Sequence, residues 1–421
     1  MFCSLPLHTL PIGAKLASSI YDERQTKLLA AGIEITEQLL DTLARRNVAS
    51  VVVGEQDLAR VLAFKPQGRA RTAAPDRPGL RLDPPSDICR ALDARSATIH
   101  PRHLAPSVHA YSKRLRPTPH AGYDRDCLNF LADQREYHVG RVGEVATACA
   151  QGDSSRIPQA CEVFQESLKA AAHDFDAYAC LGAHPSAKPY PTRHSLHTAM
   201  IAAAVGTALG LDEPALVELG FGCLLHDIGM LTVDRMTFDA RKVLDAEDFS
   251  AIAVHPFRTI ELLARNLHLV PLAAQLVVFQ LHERANGTGY PRGRTLTETH
   301  PLARIAAVAD AYTAMVTSRP HRRGMMPYFA MEKLVKDVAV GRFDPLAVRG
   351  LLQAIGLFPV GSYVELREGY VGRVIRTNAA DYTRPMIELW RNARPHGRPS
   401  IVDLSHEPAL TIVRPLTTLE R

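Results

Sequence analysis

An imidazole and a carboxylate stand side by side at His226 and Asp227, directly after the apolar run Phe221-Gly222-Cys223-Leu224-Leu225. Adjacent side chains on a regular helix point about 100° apart, but at a helix terminus both can turn toward one point. Asp310 is a second anomaly. It lies in Ile305-Ala306-Ala307-Val308-Ala309-Asp310-Ala311-Tyr312, with almost nothing polar nearby to solvate it. A buried carboxylate needs a cation or a strong hydrogen-bonding partner, and a core arginine such as Arg304 would serve as well as a metal. Three more histidines fall at element boundaries: His194 at a helix start, His255 before Pro256, and His282 before Glu283. Imidazole with carboxylate suits Fe, Mn, Zn or Ni, and no C-x-x-C pair suggests a Cys-rich zinc site. A carboxylate such as Asp227 could bridge two ions, which would hold a hydroxide in line with a phosphorus atom. Singly, each residue reads as capping or packing. Together, along one helical region, they are hard to explain that way.

The region that must position them is helical. Between about residues 123 and 356, apolar residues recur three and four apart, as in 201–209, 215–225, 257–267 and 302–316. Pro214, Pro256, Pro301, Pro327 and Pro345 stand where first-turn prolines belong. Before it, residues 1–57 read as a small α+β module, with strands over 15–21, 27–29 and 49–53 and a helix starting near Thr36. Residues 58–122 read as a basic, Pro-rich linker: 60–119 holds twelve Lys/Arg against four Asp/Glu, a composition that buries little apolar surface. After Phe358-Pro359, residues 357–421 return to alternation at 363–366, 371–375 and 386–390, a small β appendage. The fold class is therefore mainly α, with an all-α central domain between two small β-containing pieces.

Composition narrows the function classes. At 421 residues, 46% hydrophobic and 22% charged, the chain is neither disordered nor fibrous. A net charge of +5 over this length does not form the concentrated basic face of a nucleic-acid binder. Seven cysteines, an odd number, read as reduced thiols. Apolar stretches such as 270–281 fall short of the roughly 20 residues that cross a bilayer, and the first twenty residues lack a signal-peptide pattern. A cytoplasmic location is expected.

The residues resemble a known family. His194-Ser195, Leu224-Leu225-His226-Asp227-Ile228-Gly229, His255-Pro256, His282-Glu283-Arg284-Ala285-Asn286-Gly287-Thr288-Gly289-Tyr290-Pro291, and Arg304-Ile305 with Val308-Ala309-Asp310 are similar to an HD-GYP domain over about residues 185–356. The resemblance implies an HD-type helical fold, one or two divalent metal ions (Fe or Mn foremost), and hydrolysis of cyclic di-GMP to pGpG or GMP in bacterial signalling. It implies that His194, His226, Asp227 and Asp310 hold a first ion, and that Asp227 bridges to a second held by His255 and His282. His226 and Asp227 are then the catalytic pair. Gly289, Tyr290 and Pro291 shape the substrate pocket, and Arg319 and Arg322 hold phosphate. Cyclic di-GMP is the expected partner; a homodimer or a signalling-protein partner is compatible with the pattern.

The chain departs from that pattern at several positions. Leu281 stands where a second histidine precedes His282, and Met230 replaces a lysine after the H-D-I-G run. Asn286 replaces Asp, and His321 replaces Tyr between the two arginines. Tyr190 stands where a Glu would support a third metal. Loss of one ligand and one cation is expected to weaken catalysis; single electrostatic contacts in such sites are often worth about 10²–10³-fold. One alternative is a degenerate domain that binds cyclic di-GMP, or a protein, without cleaving it; a third reading is a different substrate in the same site, such as another cyclic dinucleotide or a nucleotide monophosphate, which a substrate panel would settle.

Overall fold

The computed structural model describes residues 2–6, 10, 14–21, 27–36, 39–40, 42–43, 48, 50–54, 57, 80–98, 106–115, 124–184, 190–233, 246–318, 323–390 and 399–416. The chain forms two compact units, Met1–Asp76 and Arg77–Arg421.

The first unit is α+β. Strands β1 (Phe2–Pro6), β2 (Ile20–Tyr21), β3 (Lys27–Leu29) and β4 (Ser50–Gly54) form an antiparallel sheet in the order β1-β4-β2-β3. Ile20, Ile35, Leu40, Leu43 and Val51 make its core. Buried Asp57 closes the module by accepting the backbone N–H groups of Ala17 and Ser18, both at 2.7 Å.

The second unit is built on α5 (Thr192–Ala208), a helix buried along nearly its whole length. Around it lie α4 (Phe175–Ala183), α6 (Glu213–Leu225), α10 (Pro301–Val316) and α12 (Pro345–Ile355), with α2 (Arg125–Ala150) and α3 (Ile157–Ala171) alongside. The remaining helices are α1 (Asp87–Thr98), α7 (Ala246–Ala253), α8 (His255–Leu263), α9 (Leu272–Gln280) and α11 (Pro327–Ala339). Small residues set how closely these helices approach. A Cβ on Gly220 would lie 2.0 Å from the Phe164 ring, and one on Gly222 would lie 2.6 Å from Val277, so α6 packs against both α3 and α9 at glycine. Each of the five expected prolines lies in the first helical turn, where a missing N–H costs nothing. Among the described residues one helical stretch, Glu213–Thr232, has the length and hydropathy of a membrane span, but it is 72% buried within this fold.

Within the stretch 58–122, the described residues 80–98 and 106–115 belong to the helical unit. Cys89, Leu92 and Tyr111 are buried in its core, and the Tyr111 hydroxyl donates to the Leu168 carbonyl at 2.9 Å. The overall charge of this stretch conceals a few apolar residues at helical spacing. Residues 58–79, 99–105 and 116–123 lie outside the described residues.

The β appendage is an antiparallel sheet of β5 (Tyr363–Leu366), β6 (Val371–Arg376), β7 (Met386–Trp390), β8 (Ser400–Asp403) and β9 (Ile412–Leu416), ordered β8-β7-β6-β5-β9. It is part of the helical unit. Buried Arg376 donates to both oxygens of Asp174, at 2.9 and 2.8 Å, and lies 3.6 Å from Asp176.

Candidate metal centre

Helix ends bring the singled-out residues together. His194 is in the first turns of α5, and His226 and Asp227 follow the last residue of α6. There the helix passes into a 3₁₀ turn, Ile228–Thr232, and the change of backbone lets two consecutive side chains converge. His255 opens α8, and His282 follows α9 after one intervening residue. Asp310 alone comes from a helix interior, in α10.

The two carboxylates sit among four imidazoles. Asp310 Oδ1 is 2.8 Å from His194 Nε2 and 3.9 Å from His226 Nε2, and its Oδ2 is 3.6 Å from His282 Nδ1. Asp227 Oδ1 lies 3.3 Å from the Nε2 atoms of both His226 and His255, and 3.9 Å from that of His282. Its Oδ2 accepts the Tyr190 hydroxyl at 3.2 Å. Arg304 does not serve Asp310; it lies 3.5 Å from Asp344. All six residues are buried. Burial opposes ionisation of Asp227, but the surrounding imidazoles outweigh it and hold the carboxyl down to about 2. Asp310 is likewise driven well below the usual range, with His194 the main counterweight to burial. Burial pushes His255 and His282 down.

The hydrogen bonds fix which ring nitrogens face inward. His226 Nδ1 donates to the Cys223 carbonyl at 2.7 Å, and His255 Nδ1 to that of Ile252 at 2.8 Å. Each Nε2 therefore presents a lone pair to the centre. Among the described residues, His226 Nε2 is buried with no hydrogen-bond partner. His255 Nε2 stands 2.9 Å from His282 Nε2, an approach of two basic nitrogens that calls for a proton or a cation between them. His194, His226 and Asp310 form one group of ligand atoms within 4.8 Å of one another, and His226, Asp227 and His282 form a second. Nitrogen and carboxylate donors in two overlapping sets fit divalent first-row ions.

The supporting residues had no signal in the sequence. Thr259 Oγ1 lies 2.9 Å from the His226 carbonyl and 3.0 Å from that of His255, and accepts Gly229 N–H at 2.9 Å. It ties the two histidine-bearing backbones together. A Cβ on Gly229 would lie 2.3 Å from the His255 carbonyl oxygen, so only glycine permits this approach. Gly289 is under the same constraint, since its Cβ would lie 2.3 Å from Arg284 N. That loop places the Tyr290 ring flat on His282, centroids 4.8 Å apart and planes within 11°. Glu283 holds the loop by accepting the N–H groups of Arg292 (2.7 Å) and Arg294 (2.9 Å); burial raises its carboxyl to about 7. Pro291 accepts a backbone bond from Leu82 at 2.8 Å. Leu281 and Met230 are buried and offer no ligand atom and no cation. Arg319 and Arg322 lie outside the described residues. Tyr190 also lines a surface groove of about 670 Å³, with Gly140, Gly143, Arg156, Thr192 and Leu231.

A fold of buried helices whose ends gather histidines and aspartates is that of an HD domain. Residues 183–346 match the family described as HD domain, and this part of the chain belongs to it. This stretch also carries His226-Asp227 and Gly289-Tyr290-Pro291, the two motifs on which the resemblance to HD-GYP domains rests. The chain is similar to a cyclic di-GMP phosphodiesterase of Pseudomonas aeruginosa, 30% identical over 205 residues that cover 49% of either chain. It is also similar to a 3'3'-cGAMP-specific phosphodiesterase of Vibrio cholerae, 29% identical over 171 residues, 41% of this chain and 36% of that one. The matched stretches thus span half of these relatives' length or less. Among solved structures, Bd1817, an HDG"Y"P protein from Bdellovibrio bacteriovorus, aligns over 83% of this chain and 98% of its own, at 15% identity and a TM-score of 0.42.

Proposed function

We propose that this chain is a cytoplasmic, metal-dependent phosphodiesterase that hydrolyses cyclic di-GMP to pGpG or GMP. The observation that carries this reading is the buried His226 Nε2, unpartnered among the described residues and facing two carboxylates. His194, His226, Asp227 and Asp310 would hold one divalent ion, Fe or Mn, and Asp227, His255 and His282 a second. Such ions supply Lewis-acid activation of water and neutralise charge on the phosphoryl oxygens. The chain's own residues do the rest. Tyr190 fixes the rotamer of Asp227 through Oδ2, leaving Oδ1 for the centre. Tyr290 holds the His282 ring by stacking, and Arg319 and Arg322 grip phosphate with guanidinium forks. The groove beside Tyr190 gives a nucleoside arm room to lie. Asp227→Ala is expected to abolish both metal content and turnover after anaerobic loading with Fe or Mn; full turnover in that variant overturns the mechanism.

A second reading is favoured by Leu281 and Met230: a domain that binds cyclic di-GMP or a protein without cleaving it. Metal counting with a product assay separates the two. A fully loaded protein that yields neither pGpG nor GMP, and that gains activity with Leu281→His and Met230→Lys, is the binder. Because one relative is named for 3'3'-cGAMP, the substrate panel should include that dinucleotide.

A further inference from the structure

The loop that carries Tyr290 is gripped from two sides. From within the HD domain, Glu283 takes the N–H groups of Arg292 and Arg294. From outside the family match, the segment 80–98 takes their side chains. Asp93, on α1, pairs through Oδ2 with Arg292 Nε at 3.2 Å and through Oδ1 with Arg294 Nη2 at 2.6 Å. The Asp93 backbone carbonyl accepts a further bond from Arg294 Nη2 at 3.2 Å, and the Leu82 carbonyl takes Arg292 Nη1 at 2.5 Å. Leu82 N–H in turn donates to the Pro291 carbonyl. The same segment reaches the other half of the centre: the buried Cys89 thiol lies 3.7 Å from the Phe257 carbonyl, two residues beyond His255.

We propose that Asp93 is a positioning residue, and that the strap 80–98 sets the geometry of the centre by clamping Arg292 and Arg294 so that Tyr290 stays stacked on His282. Two arginines two residues apart, both turned onto one carboxylate, fix the loop's exit from Pro291. Without the Asp93 pairs the loop would rest on Glu283, on the Leu82–Pro291 bond and on the Tyr290 N–H bond to the His282 carbonyl at 3.2 Å, and the Tyr290 ring would be freer to leave His282. The strap precedes the matched HD domain by some eighty residues in the chain, so the domain's own sequence does not supply this wall of its site.

The kinetic arm of the test rests on the reading proposed above; the exchange arm does not. In the full chain, Asp93→Ala is expected to speed amide exchange at Arg292 and Arg294, to weaken Mn²⁺ binding about three- to tenfold, and to lower kcat about tenfold. Asp93→Asn, which keeps one acceptor, should fall between, with the folded state checked by circular dichroism. A positioning role further requires coupling. Tyr290→Ala alone should reproduce most of the loss in Mn²⁺ affinity, and adding Asp93→Ala to it should cost little more. Effects that multiply in the double variant reduce Asp93 to a general stability contact, and unchanged loop exchange in Asp93→Ala overturns the proposal outright. Were the wild type to bind no Mn²⁺, the metal reading would fall and the clamp would be judged on exchange alone.

Discussion

The helical unit contains two buried charged clusters that differ in one respect. At the junction with the β sheet, the Arg376 guanidinium is matched by Asp174 and Asp176, and Thr377 Oγ1 donates to Asp176 at 2.5 Å. Every strong donor there has an acceptor. At the centre of the HD domain, two carboxylates face four imidazoles, two of which, His226 and His255, turn an acceptor nitrogen inward, and His226 Nε2 has no hydrogen-bond partner among the described residues. The first cluster leaves none of its buried side-chain donors and acceptors without a hydrogen bond among the described residues, and it holds two parts of the fold together. The second leaves an inward nitrogen without one. Completeness, more than burial, separates an ion pair that holds a structure together from a site built to take up something else.

The comparison breaks most clearly at Asp310. Asp310→Ala is expected to lower turnover by at least about 10³-fold and to abolish Mn²⁺ binding, while destabilising the metal-free fold by only about 1–3 kcal/mol, the cost of leaving His194 short of a partner. Isothermal titration with thermal melts of the stripped protein checks both. Arg376→Leu should do the reverse. Stranding Asp174 and Asp176 in a buried junction is expected to cost about 3–5 kcal/mol by urea unfolding, with Mn²⁺ affinity of the folded fraction unchanged. Equal effects of the two variants on stability would erase the distinction.

A third pair sharpens it at the small end. Arg193, next to His194, binds Glu136 through two contacts of 2.7 and 2.6 Å, and this bond lowers the Glu136 carboxyl from 4.5 to about 2. Because the folded value is the depressed one, the pair stabilises the fold above about pH 4.5 and loses that contribution as pH falls toward 2. Melts of Glu136→Gln and wild type should therefore differ at pH 5 and converge near pH 2. The difference is small because Glu136 is half exposed.

Of the residues that converge at the centre, those legible from spacing alone broke a local pattern. Asp310 interrupts an apolar helix, and His226-Asp227 ends one. The class of the helical region and the first-turn prolines followed from spacing alone. What was not legible acts through the backbone or across long separations. Thr259 works by its hydroxyl against two carbonyls, which leaves no periodicity. The strap was hidden because Cys89 and Leu92 are few among many arginines. Strands β8 and β9, at the sheet edges, are half exposed and so lack the alternation that marked β5 to β7.

His194, His226, Asp227, His255, His282 and Asp310 come from the ends or interiors of five different helices. Each of the two proposed ions would tie three helices at one point, and the pair, sharing Asp227, would join all five, so the binding energy would be spread over the bundle. Loading and unfolding are then linked: at a hundredfold excess over its dissociation constant, one such ion raises the unfolding free energy by about 2.7 kcal/mol. The melting temperature of this protein would thus depend on how much metal its surroundings supply.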